Sequence, residues 1–315
     1  MFKTKKVLVS AIALALLATT GIQPSTAAPK NQARAVVQAD WLEQNVDNPK
    51  VRIIEVSTEP GIYERGHIKN AAKIVWHTDL VDTVNRDIAS AKNFQKLAQR
   101  IGINQDTTIV LYGDKNNWFA AWGAWLFNIY GAKDVRILDG GRVKWEKDGR
   151  ALTTAVPAFK TGNFTTRVAD KSLRATLLQD VLPVAKKRVK ADLIDIRGAD
   201  EFSGKIFAAP GFQELAVRAG HIPGAINVPW GQNVNADGTF KTVAELRKLY
   251  ADKGVDGKQN IITYCRIGER SSLTWFVLSE ILGYNVKNYD GSWTEYGNSV
   301  GVPINNPAGT IWGNS

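Results

Sequence analysis

A single cysteine, Cys265, stands among 315 residues, in the run Cys265-Arg266-Ile267-Gly268-Glu269-Arg270-Ser271-Ser272. The apolar stretch Ile261-Ile262-Thr263-Tyr264 leads into it, and a helix of amphipathic pattern, Leu273 to Leu282, leads out. A thiol is thereby placed on a tight turn between a buried strand and a helix N-terminus. Backbone N–H groups there carry partial positive charge, and Arg266 and Arg270 add two cations. Both effects favour thiolate over thiol and make Cys265 a nucleophile. An inert core cysteine is the competing reading; the strand–turn–helix setting with paired cations argues against it.

Such a cradle suits an anionic, thiophilic substrate, and three chemistries compete. Cysteine phosphatases carry Cys-x5-Arg; here Arg270 comes one position early and Ser271 takes the arginine's place, so the ring is small for a phosphoryl group. Cys–His catalysis needs a nearby histidine, and the chain has three, His67, His77 and His221. His67 and His221 hold matching places in an internal repeat of which only one copy has a thiol, so they are expected to hydrogen-bond backbone in a turn. His77 lies in the copy without a thiol. One cysteine and three scattered histidines give no metal-ligand spacing, so no metal site is expected. Sulfane-sulfur transfer needs an ionised thiol, donors for a persulfide anion and cations to dock a dianion, and all three are present.

The repeat defines the elements that position this loop. Val51–Val56, Gly66-His67-Ile68, Ile109–Tyr112 and Leu138-Asp139-Gly140-Gly141 recur, about 152 residues later, as 192–197, Gly220-His221-Ile222, Ile261–Tyr264 and Tyr289-Asp290-Gly291-Ser292. Strands are predicted at 51–56, 109–112 and 135–138, then 193–196, 261–264 and 286–289. Helices are predicted at 94–101, 118–130, 243–253 and 272–283. Apolar strands alternating with helices predict an α/β fold with parallel sheets. Ligands bind beyond the C-terminal ends of such strands, where Cys265 lies. Its counterpart is Gly113, followed by Asp114, so the first copy is expected to be non-catalytic and to wall one side of the site.

The chain resembles tandem-domain rhodaneses, thiosulfate sulfurtransferases. Val286-Lys287-Asn288-Tyr289-Asp290-Gly291-Ser292-Trp293-Thr294-Glu295-Tyr296 matches the family's C-terminal signature, and Gly220-His221-Ile222-Pro223-Gly224-Ala225 is similar to its N-terminal one. In the first copy Lys69-Asn70 replaces Pro-Gly. The resemblance spans residues 33 to 307. It implies two tandem rhodanese-like domains, each a doubly wound, mainly parallel sheet flanked by helices: domain 1 at 33–152, a linker at 153–174 and a catalytic domain 2 at 175–307. It implies a double displacement in which Cys265 takes sulfur from thiosulfate, releases sulfite and passes the sulfur to cyanide or a thiol. Arg266, Ile267, Gly268, Glu269, Arg270 and Ser271 would hold the persulfide, and Arg197 would anchor substrate at the pocket mouth unless it pairs with Glu201. Asp195 and Asp290 would brace loops, and Trp293 would lie near the active-site loop. The cationic second residue of Cys-Arg-x-Gly resembles the thiosulfate-using branch more than the Cys-Gly-Ser-Gly of mercaptopyruvate users. The alternatives are a 3-mercaptopyruvate sulfurtransferase or a persulfide carrier without turnover. No cofactor is implied.

Lys3, Lys5 and Lys6, the apolar run Val7–Ala18 and the small residues Ser25–Ala28 read as a signal peptide over 1–28, giving an exported protein, periplasmic or secreted. That apolar run is short for a span, and no other stretch resembles one, so no stable membrane insertion is expected. The net charge of +10 is dispersed. Its one cluster, Lys186-Lys187-Arg188 with Lys190, reads as a solvated helix face rather than a nucleic-acid site. A monomer acting on a small anionic donor and a thiophilic acceptor is expected. A lone cysteine cannot form an internal disulfide, and exported proteins use cysteine mainly in pairs, so a free thiol there points to use.

Overall fold

The computed structural model describes residues 32–313 except Glu214, and the expected signal peptide at 1–28 lies outside the described residues. The first half contributes β1 (Val36–Val37), β2 (Val51–Glu55), β3 (Ala72–Lys73), β4 (Val81–Asp82), β5 (Asp87–Ile88), β6 (Thr108–Tyr112) and β7 (Val135–Leu138). Five of these form a parallel sheet in the order β1-β7-β6-β2-β3, while β4 and β5 pair as an antiparallel ribbon. The second half contributes β8 (Asp192–Asp195), β9 (Ile226–Asn227), β10 (Ile261–Tyr264) and β11 (Val286–Asn288), parallel in the order β11-β10-β8-β9. The orders superimpose, and a single bridge between Arg174 and Asn288 stands where the first sheet has β1. The central strands β6 and β10 are Ile/Val-rich and almost wholly buried, as strands covered on both faces must be.

The expected amphipathic helix after Cys265 is different in two ways. It begins at Glu269, running Glu269–Phe276, because Gly268 takes the left-handed N-cap (φ 98°), and a π-helical turn, Val277–Ile281, continues it. It is also buried on every side, all eight residues of Glu269–Phe276 included. The cause is its partner, the first-domain helix Trp118–Ile129, which packs along it and is itself nearly all buried. A helix covered on all faces has no solvent stripe. Trp122, Trp125, Trp275, Phe276 and Leu278 share one apolar cluster drawn from both halves. Each such buried side chain contributes about 1.5–3 kcal/mol or more.

The stretch between the halves is tied down. Thr153 pairs with His67, Gly162 N–H reaches Gln99 O at 2.8 Å, and Phe164 is buried against Phe94 and Phe127. The basic run 186–190 is exposed, but it forms the turn after the helix Leu182–Ala185 rather than a helix face.

Candidate active site

β10 delivers Cys265 at its C-terminal end. Trp293 N–H binds Cys265 O at 3.0 Å, and Cys265 N–H binds Ser292 Oγ at 3.1 Å, so the signature after β11 clamps the loop on both sides of the cysteine. Ser271 Oγ–H reaches Asn288 Oδ1 at 2.7 Å, and Ser272 Oγ–H reaches Gly268 O at 2.7 Å. Gly268 must remain glycine: besides its positive φ, a Cβ would lie 2.6 Å from the Trp122 ring and 2.7 Å from Asp290 Cα. Trp122 belongs to the first domain, which therefore does wall the loop.

The sulfur is fully buried. It accepts the Gly268 N–H at 3.1 Å, the amide contact expected of a persulfide cradle. The thiol in turn faces Glu269 Oε2 at 3.4 Å. Burial pushes the Cys265 thiol above its ordinary range and the Glu269 charge pushes it further, while Arg270 and the Ser271 N–H and hydroxyl pull it down. The expected thiolate bias is therefore reversed in the resting protein, because the site is dry and a carboxylate stands beside the sulfur.

The cations are also differently engaged. Arg270 is 3% exposed and pairs with Glu201 at 3.2 Å, its Nε lying 3.8 Å from Glu269 Oε1. Arg266, half-buried, donates to Gln213 O at 3.0 Å and, like Arg270, lies over the Phe212 ring. Arg266 Nε, Arg270 Nε and the Nε1 of nearby Trp118 are buried donors without a partner among the described residues. Ile267, half-buried, packs against the shared apolar cluster, and its carbonyl accepts from Arg86 at 2.8 Å.

Arg197 is not at a pocket mouth, nor does it pair with Glu201. It is 1% exposed, grips Asp195 (NH2 to Oδ2 2.6 Å), donates to Gly220 O at 2.7 Å and lies over Trp293. Asp195 and Asp290 brace as expected, Asp290 through a bidentate pair with Arg174. His67 Nδ1 lies 3.0 Å from Tyr63 O and His221 Nδ1 2.6 Å from Phe202 O, each ring stacked on that same aromatic residue, so both are structural.

Sequence reading missed Glu201 as Arg270's partner, Phe212 and Arg86. The only available signal for Glu201 was its place in a helix-start pattern, where it accepts the Gly198 N–H at 3.1 Å. The equivalent first-domain loop is closed by its own side chains: Asn117 Oδ1 takes the Gly113 N–H at 3.0 Å, and Asp114 takes the N–H groups of Thr58 and Glu59.

The rhodanese-like domain model matches this chain twice, at residues 38–148 and 180–299. The chain belongs to the rhodanese-like family. It is 50% identical over 274 residues to the sulfur carrier protein TtuD of Thermus thermophilus, covering 85% of this chain and 95% of that protein. It is 53% identical over 271 residues to the "Putative thiosulfate sulfurtransferase 1" of Mycobacterium bovis, covering 85% and 96%. Among solved structures it resembles the 3-mercaptopyruvate sulfotransferase SseA of Escherichia coli, with a TM-score of 0.70, 28% identity and 82% and 98% coverage. The fold is thus two rhodanese domains, each a parallel sheet flanked by helices. Among the described residues no helix is long and apolar enough to cross a membrane, and no group of three or more His, Cys, Asp or Glu could hold a metal ion.

Proposed function

We propose that this rhodanese-like protein is a thiosulfate sulfurtransferase working by double displacement at Cys265. The observation that carries the reading is the sulfur itself: one buried thiol on a strand-to-helix loop, accepting the Gly268 amide, with the buried Arg270 guanidinium acting on it. Cys265 attacks the outer sulfur of thiosulfate, and sulfite leaves with the electron pair of the broken S–S bond. The persulfide anion rests against the loop amides of residues 266–271, and an acceptor nucleophile, cyanide or a thiol, removes its outer sulfur. Arg266, half-buried and held through Gln213 O, is the cation that would turn to meet a dianionic donor on the solvent side; Arg270, paired with Glu201, sets the field at the sulfur. Two charged arginines and buried donors suit thiosulfate better than mercaptopyruvate, and the mycobacterial relative is named for thiosulfate. The carrier name of the Thermus relative favours a second reading, in which the persulfide is delivered to a partner with little free turnover.

Export as a periplasmic or secreted monomer, cleaved after residue 27 or 28, is part of the proposal and rests on the basic and apolar leader. The experiment is a donor panel on the mature protein. Thiosulfate, not mercaptopyruvate, should add one sulfur to the mass of the wild type and nothing to Cys265→Ser, and steady-state thiocyanate should form from thiosulfate and cyanide. Sulfur uptake without thiocyanate would select the carrier reading; thiocyanate from Cys265→Ser would overturn the mechanism.

A further inference from the structure

We propose that Glu269 is the proton acceptor for Cys265, taking the thiol proton onto Oε2 as the sulfur attacks its donor. The inference rests on the sulfurtransferase reading and extends it to a residue that reading leaves without a chemical role.

The geometry is direct. Sγ and Oε2 are 3.4 Å apart, with the S–H donating, and Glu269 is 2% exposed, so no bulk water competes for the proton. The charges around the pair set its proton count. From the helix Ala199–Ser203 comes Glu201, held on Arg270; behind it, at the end of β8, Asp195 and Arg197 pair. Beyond β11, Asp290 pairs with Arg174, which also holds Asp87, and the first domain offers Arg86 to the Ile267 and Asp290 carbonyls. Arg266 points away, to Gln213 O. His221, its ring held by Phe202, is kept neutral by burial. The deeply buried carboxylates Asp195, Glu201 and Glu269 thus face only two deeply buried guanidiniums, Arg197 and Arg270. One negative charge is already in excess. Ionising the thiol beside an ionised Glu269 would make it two, separated by a single hydrogen bond, and like charges at that range do not both ionise in a dry site. Glu269 Oε2, 3.4 Å from the sulfur, is therefore placed to receive the thiol proton as the sulfur becomes a nucleophile.

The step balances without any further reagent. The S–H bond of Cys265 breaks and its proton bonds to Glu269 Oε2. The Sγ–S bond to the outer sulfur of thiosulfate forms, and the S–S bond to the sulfonate breaks, with sulfite leaving. Neutral thiol plus carboxylate becomes persulfide anion plus carboxylic acid, so the buried charge is unchanged. When the acceptor takes the outer sulfur, Cys265 leaves as thiolate and recovers the proton.

This role differs from that of a passive negative charge. A carboxylate that merely opposes ionisation would, when removed, leave more thiolate and a faster reaction. The test is single-turnover sulfuration by thiosulfate, followed by intact mass, for wild type, Glu269→Gln and Glu269→Asp across pH 6–10, with infrared difference spectra of wild type and Glu269→Gln. We expect Glu269→Gln to be about 100-fold slower near neutral pH, the scale of a lost general base, and to approach wild type at alkaline pH. Glu269→Asp should recover part of the rate. A carboxylic-acid C=O band, shifted by D2O, should appear on sulfuration of wild type and be missing in Glu269→Gln. Near-ultraviolet circular dichroism checks that each variant is folded. Equal or faster sulfuration of Glu269→Gln at neutral pH, or no carboxylic-acid band in sulfurated wild type, overturns the proposal while leaving the sulfurtransferase reading intact. Failure of wild type to gain sulfur from thiosulfate overturns both.

Discussion

Arg197 separates a binding role from a structural one. Its guanidinium is buried, holds Asp195 through Nε at 3.0 Å and NH2 at 2.6 Å, and spans to the Gly220 carbonyl at 2.7 Å, between the end of β8 and the His221 turn. Arg197→Met keeps much of the volume over Trp293 but leaves the Asp195 carboxylate, which is not solvent-exposed, without its countercharge. Removing one partner of a buried pair costs about 3–5 kcal/mol. For a chain this long, that corresponds to a fall in Tm of roughly 10 °C. Asp195→Leu combined with Arg197→Met removes the stranded charge and should regain a large part of the loss, since replacing both partners of a buried pair by apolar groups is often nearly neutral. Thermal unfolding of the single and double variants measures both effects. Steady-state assays well below the variant's Tm should give a thiosulfate KM close to wild type. A tenfold rise in KM with an unmoved Tm would refute the reasoning and return Arg197 to the substrate.

Arg86→Ala removes the first domain's hydrogen bond to the Ile267 carbonyl, worth about 1 kcal/mol, so kcat/KM for thiosulfate should fall several-fold with little change in Tm; an unchanged kcat/KM would reduce the first domain to packing alone. The folded state holds the Cys265 proton more tightly than the unfolded chain, so this contribution to stability is present below the thiol's ordinary value of 9.0 and is lost as pH rises beyond it. Denaturant unfolding from pH 7 to 10 should therefore show a steeper alkaline loss for wild type than for Cys265→Ser, and parallel curves would contradict the direction of the shift. Gly113→Cys, made in a Cys265→Ser background, should gain no sulfur from thiosulfate, because its Cβ would lie 2.3 Å from the Val56 carbonyl oxygen in a loop already closed by Asn117.

Local chemistry made much of this molecule legible before any coordinates. The runs Ile109–Tyr112 and Ile261–Tyr264 predict central strands because burial on both faces demands continuous apolar residues, and they are central strands. The matched histidines predict structural turns because one copy has no thiol, and the Nδ1 of each lies against a carbonyl, four residues away for His67 and nineteen for His221. What could not be read is pairing across the fold. Arg270 meets Glu201 from 69 residues away, and Arg86 meets Ile267 from 181. Counting cations near Cys265 gave the wrong sign for its proton affinity, because the count omitted the loss of water and the reach of Glu269 into the same space. The helix after Cys265 carries a polar face in its pattern, yet Glu269, Arg270, Ser271 and Ser272 are all inside, each held by a tertiary or capping contact.

The two copies diverged by exchanging what fills one turn. In the first, Lys115, Asn116 and Asn117 all take left-handed backbone angles, φ 48°, 54° and 62°, which asparagine tolerates better than most residues. Asn117 then spends its amide on Gly113 N–H and Leu138 O; the counterpart of Gly113 N–H in the second copy, Cys265 N–H, is bound instead by Ser292 Oγ. The helix that follows became apolar all round and presents Trp122 to Gly268. That contact is what keeps water from the Glu269–Phe276 helix. Were the first domain absent, Glu269 and Arg270 would start an exposed helix, and the burial that raises the Cys265 thiol would be relieved. The copy without a cysteine therefore acts on the sulfur chemistry through the dielectric it imposes.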